Sequence, residues 1–449
     1  MHFIGIGGAG MSAIAKVLLE RGVVVSGSDL KPSRAASMLE AMGARVHIGH
    51  DASLIEENQV VVLSSAIPAS NPELRRAEEL DLEIMARGEA LAALLEGCRS
   101  IVVAGTHGKT TTTSMATTIL RGAGMDPTYL IGGGLNDAGT NAKFGSAEFA
   151  VAESDESDGS FLLLAPHIGV VTNVELDHVD RWASLDELYD AFRTFIDHID
   201  AGGSVVVPVT DEVLAGLATS SGRRVVTFDD GGQVRAENVV LGPQGVRFRL
   251  VTSSGHADVS LRVPGRHNVS NALAAAAACL EAGVDVSAAA AGLSAYRGVE
   301  RRLQMRGRSE GVTVIDDYAH HPTEIRATLA AVRPGPWDRV VAVFQPHRYS
   351  RTAALAPGFG ASFEDADRIV VTDVYGAGEQ PVPGVTGKLV SDAVCTYAPG
   401  RPVAYLPHRA DLIAYLTSLT RPGDVVLTLG AGDITNVGEE LLARLDGAL

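Results

Sequence analysis

Short runs of β-branched residues alternate along this chain with alanine- and leucine-rich stretches of helical spacing. FIGIG is followed by a glycine turn and by GMSAIAKVLLERG, whose apolar positions predict a helix. VVVSGSD reads as a second strand, and VVVLSSAI as a later one that ends at Pro68. A helix is expected near PELRRAEELDL, and a new strand set opens with SIVVAG just after Cys98. FAVAES, IGVVTNV and SVVVPV continue that set. The stretch from VVTFDDGG to LRVPG reads as an antiparallel meander, and HNVSNALAAAAACLEAG as a helix stopped by Gly283. GVTVIDD, RVVAVFQ, RIVVTDV, PVAYLP and DVVLTLG form a third strand set.

Strands alternating with helices predict parallel sheets covered by helices, an α/β protein. The 449 residues suit two to four domains. The pattern divides them into 1–98, 99–298 and 299–449. Neither a repeat array nor a long linker interrupts it. The polar motifs follow the strands directly: GIGGAGMS, GTHGKT, ESDESD, NVELDH, DDYAHH, QPHRYSR, DVYGAGE and GAGDI. Parallel sheets bind ligands outside the carboxyl ends of their strands, so three sheets decorated in this way predict a site shared between domains.

Composition narrows the partners. A net charge of -17 disfavours nucleic acid and anionic membranes, so any anionic substrate needs locally concentrated positive charge. Cys98, Cys279 and Cys395 form no CxxC pair, which suits a reducing cytosol and argues against a disulfide framework or a zinc site. The N-terminal stretch has no signal-peptide pattern, and no apolar run reaches the roughly 18 residues of a membrane span, so a cytoplasmic protein is expected. Lysines are scarce: only Lys16, Lys31, Lys109, Lys143 and Lys388 occur.

Gly5–Gly10 fits G-x-G-x-x-G, with Asp29 about 20 residues on. These glycines let backbone amides approach a diphosphate; NAD, a UDP-sugar and an empty βα turn all remain open at this level. GTHGKT falls short of the strict Walker pattern, because Val103 stands where the first glycine belongs. It keeps the working parts: Lys109 for phosphate charge, Thr110 for Mg²⁺, and Thr111 to Thr113 as further donors at a helix start. Glu153 and its acidic neighbours in ESDESDGSF, with Glu175, Asp177, His178 and Asp180 in NVELDHVD, form loops that attract divalent cations. His347, Arg348 and Arg351 bring positive charge to a strand end, where arginine forks can grip carboxylates.

In this order, GIGGAGMSAIA, SSAI, GTHGKTTTT, ESDESDGSF, NVELDHVD, HNVSNALAA, RRLQ, DDYAHHPTE, FQPHRYSRT, DVYGAGE and GAGDI resemble the Mur ligase family, which includes folylpolyglutamate synthetase. The motifs run from residue 3 to about 436. The resemblance implies an N-terminal Rossmann-like domain for a UDP-sugar, a central P-loop-type ATP-binding α/β domain, and a C-terminal Rossmann-like domain for an amino acid. It also implies ATP-dependent joining of L-alanine to the lactyl carboxylate of UDP-N-acetylmuramate through an acyl phosphate, in peptidoglycan precursor synthesis, by a monomer or homodimer. Attachment of a whole tripeptide, as in the family's recycling branch, is the nearest alternative. A nicotinamide-dependent dehydrogenase would leave GTHGKT and the acidic loops unexplained, and a nucleotide-binding regulator would not need the metal ligands and arginines together.

Residue by residue, the resemblance assigns the sugar nucleotide to Gly7, Gly8, Ala9, Gly10, Met11, Ser12, Asp29 and Ser65. ATP goes to Gly105, Thr106, His107, Gly108, Lys109, Thr110, Thr111, His267, Asn268, Asn271 and Arg302. Thr110 and Glu153 hold one Mg²⁺ (or Mn²⁺), and Glu153 with His178 bears on a second. Tyr318, His320, Arg348 and Arg351 surround L-alanine, the arginines clamping its carboxylate and His320 removing an ammonium proton. Lys109, His320 and Arg348 are the expected catalytic residues. Several relatives use a carbamylated lysine in the central domain; residues 144–387 contain no lysine, so no dependence on CO₂ is expected. Relatives also often carry a short segment ahead of the position of His2.

Overall fold

The computed structural model describes residues 1–64, 66–179 and 181–447. Three α/β domains follow one another along the chain. In the first, β1 (His2–Ile4), β2 (Ser26–Asp29), β3 (Arg45–Ile48), β4 (Val60–Leu63) and β5 (Glu83–Ala86) form a sheet of order β3-β2-β1-β4-β5. All its pairings are parallel. The order reverses at β1, which opens a crevice at its carboxyl end, and Gly5–Gly10 lies there.

The central sheet runs β12-β11-β10-β6-β9-β7-β8. Its strands are β6 (Arg99–Ala104), β7 (Thr128–Leu130), β8 (Ala142–Lys143), β9 (Phe149–Glu153), β10 (Ile168–Val171), β11 (Ser204–Pro208) and β12 (Arg224–Phe228). Only β8 pairs antiparallel. The inner strands are near-continuous valine and isoleucine because helices cover both faces: Ile101, Val102, Val103 and Val170 are fully buried. β6 lies between β10 and β9, so the loops after these three strands, GTHGKT, NVELDH and ESDESD, emerge side by side.

β13 (Arg235–Gly242), β14 (Gly245–Thr252) and β15 (Gly255–Leu261) make the antiparallel meander. The sequence pattern placed Val225–Phe228 in it as well, but that segment is β12, parallel to β11. An edge strand buries one face only, so its side chains alternate as those of a meander do. Asp229 and Gly231, both at positive φ, turn the chain from one sheet to the other.

The C-terminal sheet has the order β16-β17-β21-β18-β19-β20. It comprises β16 (Gln304–Ser309), β17 (Val312–Asp317), β18 (Arg339–Phe344), β19 (Arg368–Val371), β20 (Val403–Tyr405) and β21 (Asp424–Leu429), with β16 antiparallel. Again the adjacent strands β17, β21 and β18 carry the polar loops DDYAHH, GAGDI and QPHRYS. The three cysteines are free. Among the described residues, no helix is long and apolar enough to cross a membrane.

Candidate active site

The phosphate loop joins β6 to the helix Lys109–Gly122. Gly105 (φ +125°) and Gly108 (φ +80°) occupy the left-handed region. A Cβ on Gly105 would lie 2.2 Å from Thr172 Oγ1, and one on Gly108 2.3 Å from Asn271 Oδ1, so each glycine also makes room for a neighbouring chain. Lys109 Nζ donates to the carbonyls of Gly105 (2.7 Å) and Thr106 (3.1 Å) and to Glu156 Oε2 (2.7 Å). Burial works against its charge, but Glu156 and Asp155 raise its pKa, and it stays an ammonium.

Thr110 Oγ1 donates to Glu153 Oε1 at 2.8 Å, and Glu153 Oε2 accepts the Gly132 N–H at 2.7 Å. His178 lies with Asp155 and Glu156, and one ligand atom from each of the three falls within 4.8 Å of the others. Its Nε2 is 3.8 Å from Glu156 Oε1, a buried oxygen with no hydrogen-bond partner. Burial and the Asp155 charge push the Glu156 carboxyl up to about 7 against the opposing pull of Lys109. His178 holds φ +51°, a strained conformation outside glycine that is often kept for a functional reason. The threonine run behaves differently from its sequence reading. Thr111 lines the cavity described below, but Thr112 and Thr113 are fully buried, and the Thr113 hydroxyl turns back to the Lys109 carbonyl.

A cavity of about 410 Å³ opens between the central and C-terminal domains. His107, Gly108, Thr111, His267, Asn268, Asn271 and Arg302 line it, which unites the phosphate loop with residues more than 150 positions away. Burial, reinforced by Arg302, lowers the His267 pKa to about 4, so the ring is neutral. Gly105, Thr106, Lys109 and Thr110 form the floor of the loop beside this cavity rather than its lining.

Glu175, expected in a cation-attracting loop, and Glu324, for which no role was expected, also line the cavity. His107 Nε2 is 3.0 Å from Glu175 Oε2, and Nδ1 is 3.4 Å from Glu324 Oε1. Burial disfavours the imidazolium, yet the hydrogen bonds to Glu175 and Glu324 raise its pKa to about 9. Thr323 Oγ1 donates to Glu175 Oε1 at 2.6 Å across the same seam. Glu324 was legible as the third residue of a helix that begins at Pro322, where a glutamate caps the start; its pairing with the phosphate loop was not.

On the C-terminal side, Tyr318 meets His320 edge to face with ring centroids 5.5 Å apart, and His320 lies 5.7 Å from His347. His347 stacks on Tyr375. His320 Nδ1 donates to the Tyr318 carbonyl at 3.0 Å, which leaves the Nε2 lone pair to accept a proton. Burial lowers its pKa to about 4. Arg348 caps the helix Tyr349–Leu355 at φ +67°. Arg351 is engaged within the protein: Nε and Nη2 donate to the two oxygens of Asp177 at 2.8 and 3.0 Å.

The glycine loop of the first domain is built from backbone. The Gly7 N–H donates to Asp29 Oδ2 at 2.9 Å and Gly8 N–H to the Gly5 carbonyl at 3.2 Å. Ala9 and Gly10 open the helix Ala9–Glu20, whose cap at Gly8 has no side chain, so its first amides remain available to an anion. Met11 and Ser12 are buried, and the Ser12 hydroxyl bonds the Ala9 carbonyl. Asn141 of the central domain reaches the same carbonyl at 3.3 Å. Ser65, expected at this site, lies outside the described residues, as does Asp180.

Residues 1–99 match the Mur ligase family catalytic domain, 103–279 the Mur ligase middle domain, and 301–432 the Mur ligase glutamate ligase domain. The chain belongs to the Mur ligase family. This Mur ligase is 49% identical over 448 residues to the UDP-N-acetylmuramate–L-alanine ligase of Rubrobacter xylanophilus, covering 99% of this chain and 100% of the relative. Its fold matches the crystal structure of UDP-N-acetylmuramate-alanine ligase from Thermotoga maritima with a TM-score of 0.84 at 29% identity, over 100% of this chain and 99% of that one. A murein peptide ligase from Psychrobacter arcticus shares the fold at 24% identity and a TM-score of 0.74, over 99% and 98% of the two chains.

Proposed function

We propose that this Mur ligase joins L-alanine to the lactyl carboxylate of UDP-N-acetylmuramate, with ATP cleaved to ADP and phosphate. The observation that carries the reading is the seam itself: phosphate loop, acidic loops and histidine–arginine cluster converge beside one nucleotide-sized cavity. The relatives named for that reaction supply the substrate pair and favour it over tripeptide recycling. We assign residues 1–98 to the sugar nucleotide, 99–298 to ATP and 299–449 to the amino acid, on the placement of these motifs. ATP and nucleotide sugars are cytoplasmic metabolites, so the reading places the enzyme there.

A carboxylate resists attack by an amine because oxide is a poor leaving group. Phosphorylation converts it to an acyl phosphate, and the amine nitrogen then displaces phosphate. The enzyme must therefore hold two anions against each other in a dry site. Lys109 carries the fixed positive charge, and ATP phosphates would draw it from Glu156. Thr110 with Glu153, and the Asp155–Glu156–His178 group with its orphaned Glu156 oxygen, fit Mg²⁺ through mainly oxygen donors; Mn²⁺ suits the histidine equally. The cation would neutralise phosphate charge at this end of the cavity. His267, Asn268, Asn271 and Arg302 line the nucleotide's remaining space. We assign the ammonium proton of L-alanine to His320 Nε2, the ring nitrogen left free by the Nδ1 bond to the Tyr318 carbonyl.

Phosphate release should be measured with ATP, Mg²⁺ and UDP-N-acetylmuramate, with and without each amino acid. Release that requires L-alanine is expected. Release with L-alanyl-γ-D-glutamyl-diamino acid peptide but not with L-alanine would move the chain to the recycling branch.

A further inference from the structure

Lys16 is one of only five lysines in the chain, and it is buried where two domains meet. It sits in the helix Ala9–Glu20, which opens from the glycine loop of the first domain and whose residues Met11 to Val17 are all buried. A helix at a domain surface buries one stripe; this one packs against its own sheet and also against Leu130 and Ala142 of the central domain. Lys16 Nζ donates to Thr140 Oγ1 at 2.6 Å and to the Ala142 carbonyl at 2.5 Å, with Glu20 Oε1 3.6 Å away. The Phe144 N–H donates to Glu20 Oε2 at 2.6 Å, and the Arg21 guanidinium lies over the Phe144 ring. With the Asn141 bond to the Ala9 carbonyl, these contacts seat residues 140–144 along the length of the helix. An apolar side chain would fill the same space without the cost of burying an ammonium. What the lysine adds is direction, because its two bonds fix where residues 140 and 142 lie.

Residues 131–141 join β7 to β8, and the loop is tied at three places. At its base the Ile131 N–H donates to the Asn141 carbonyl at 2.8 Å, and the Leu135 N–H to the Thr140 carbonyl at 3.1 Å. At its start the Gly132 N–H holds Glu153, the carboxylate that also accepts the Thr110 hydroxyl. A Cβ on Gly132 would lie 2.6 Å from Glu153 Oε2, so this approach requires glycine. At its tip Leu135 bridges to Val299, and the Gly134 carbonyl accepts the Glu300 N–H at 2.9 Å. Lys16 grips the end of the loop that is bonded to its start, so a shift of residues 140–142 moves Gly132 and the carboxylate beside Thr110. We propose that Lys16 is a positioning residue. Through Thr140, Ala142 and the loop 131–141 it fixes the helix behind the sugar-nucleotide loop against Glu153 and the phosphate loop, and so sets the distance between the lactyl carboxylate and the γ-phosphate of ATP. The identity of those two groups rests on the proposed ligase reading. Transfer between two separately held anions is sensitive to placement, and a misplacement of about 1 Å costs about 100-fold.

The test is Lys16→Met on the full chain, which keeps the bulk and removes both bonds. The kcat of L-alanine-dependent phosphate release should fall by about 30-fold, while KM for ATP and for UDP-N-acetylmuramate stays within about twofold. A merely structural lysine predicts a lower unfolding temperature with kcat per folded molecule unchanged, and that result would overturn the proposal. A raised KM for UDP-N-acetylmuramate with kcat intact would overturn it as well, by making Lys16 part of the sugar-nucleotide site. Thr140→Val should lower kcat by about fivefold in the wild type and add nothing to Lys16→Met; effects that multiply would put the two residues on separate routes and sink the proposal. If Lys16→Met does not fold, Thr140→Val is judged by the same split between kcat and KM. If wild type releases no phosphate with L-alanine, the ligase reading fails, but hydrogen exchange of the ligand-free protein still decides the grip on the loop. The Gly132 and Leu135 amides should exchange about tenfold faster or more in either variant, with those of β6 unchanged. Equal protection would remove the proposal.

Discussion

Gly5–Gly10 and Gly105–Lys109 follow the same local recipe: a buried strand, a glycine turn with backbone at positive φ, and a helix whose first amides face outward. Their surroundings differ sharply. The first loop bonds mainly to Ser28 and Asp29 on the neighbouring strand, and its anion-binding capacity is backbone. The second is enclosed by Glu153, Asp155 and Glu156 from one loop, Glu175 from another, and Glu324 from a different domain. A backbone cradle needs only correct local conformation. A site that must neutralise and move charge needs side chains from several elements, and sheet order brings them together.

The comparison breaks most completely at Lys109. Lys109→Ala should lower turnover by about 1,000-fold or more and weaken ADP binding, while UDP binding to the first domain stays within twofold. Calorimetric titration of the two nucleotides against the variant checks both halves. Equal loss of both affinities would mean that the two loops are not separate sites.

The next effect is a pH dependence confined to the second loop. His107 has a pKa raised to about 9, so its contribution to the closed seam is fully present below about 6.5 and lost as pH rises through 9. Its partner Glu175, lowered to about 2, loses its contribution only as pH falls from about 4.5 towards 2. Stability of the seam should therefore drop by about 3 kcal/mol between pH 6.5 and 9.5. His107→Asn should flatten that alkaline limb in thermal unfolding; an unchanged limb would assign it to other groups.

A smaller effect is expected at the first loop. A Cβ on Gly10 would sit 3.1 Å from the Arg87 side chain, which is itself paired with Asp158 of the acidic loop at 2.6 Å. Gly10→Ala should raise KM for UDP-N-acetylmuramate by about tenfold through this crowding, with kcat and KM for ATP nearly unchanged. Loss of kcat instead would show that the two loops are coupled through Arg87. The smallest expected effect is none: bicarbonate should not alter the activity of CO₂-stripped enzyme. Lys143 pairs with Asp126 and Lys388 with Asp392, so neither approaches the acidic loops.

Much of this molecule was legible before folding was considered. The buried strands were visible because a parallel strand covered on both faces must be largely apolar, as residues 101–104 of Arg99–Ala104 and 425–427 of Asp424–Leu429 are. Short strands such as Arg45–Ile48, Glu83–Ala86 and Ala142–Lys143 carried no such signal, because they are partly exposed and held by their neighbours. Gly105, Gly108 and Lys109 stood out because backbone conformation and phosphate charge constrain residue type at fixed spacing. The partners of those residues did not. Glu156 under Lys109, Glu324 against His107 and Asp177 around Arg351 are ordinary acidic residues in sequence, and their pairings span 47, 217 and 174 positions.

The sequence by itself determined which loops carry chemistry, since strand ends, glycine turns and capped helices are local consequences of residue type. Only the tertiary structure decided which charge faces which. Electrostatic pairing depends on distance and burial, and both are set by the order of strands in a sheet and the apposition of domains, neither of which leaves a periodic trace along the chain.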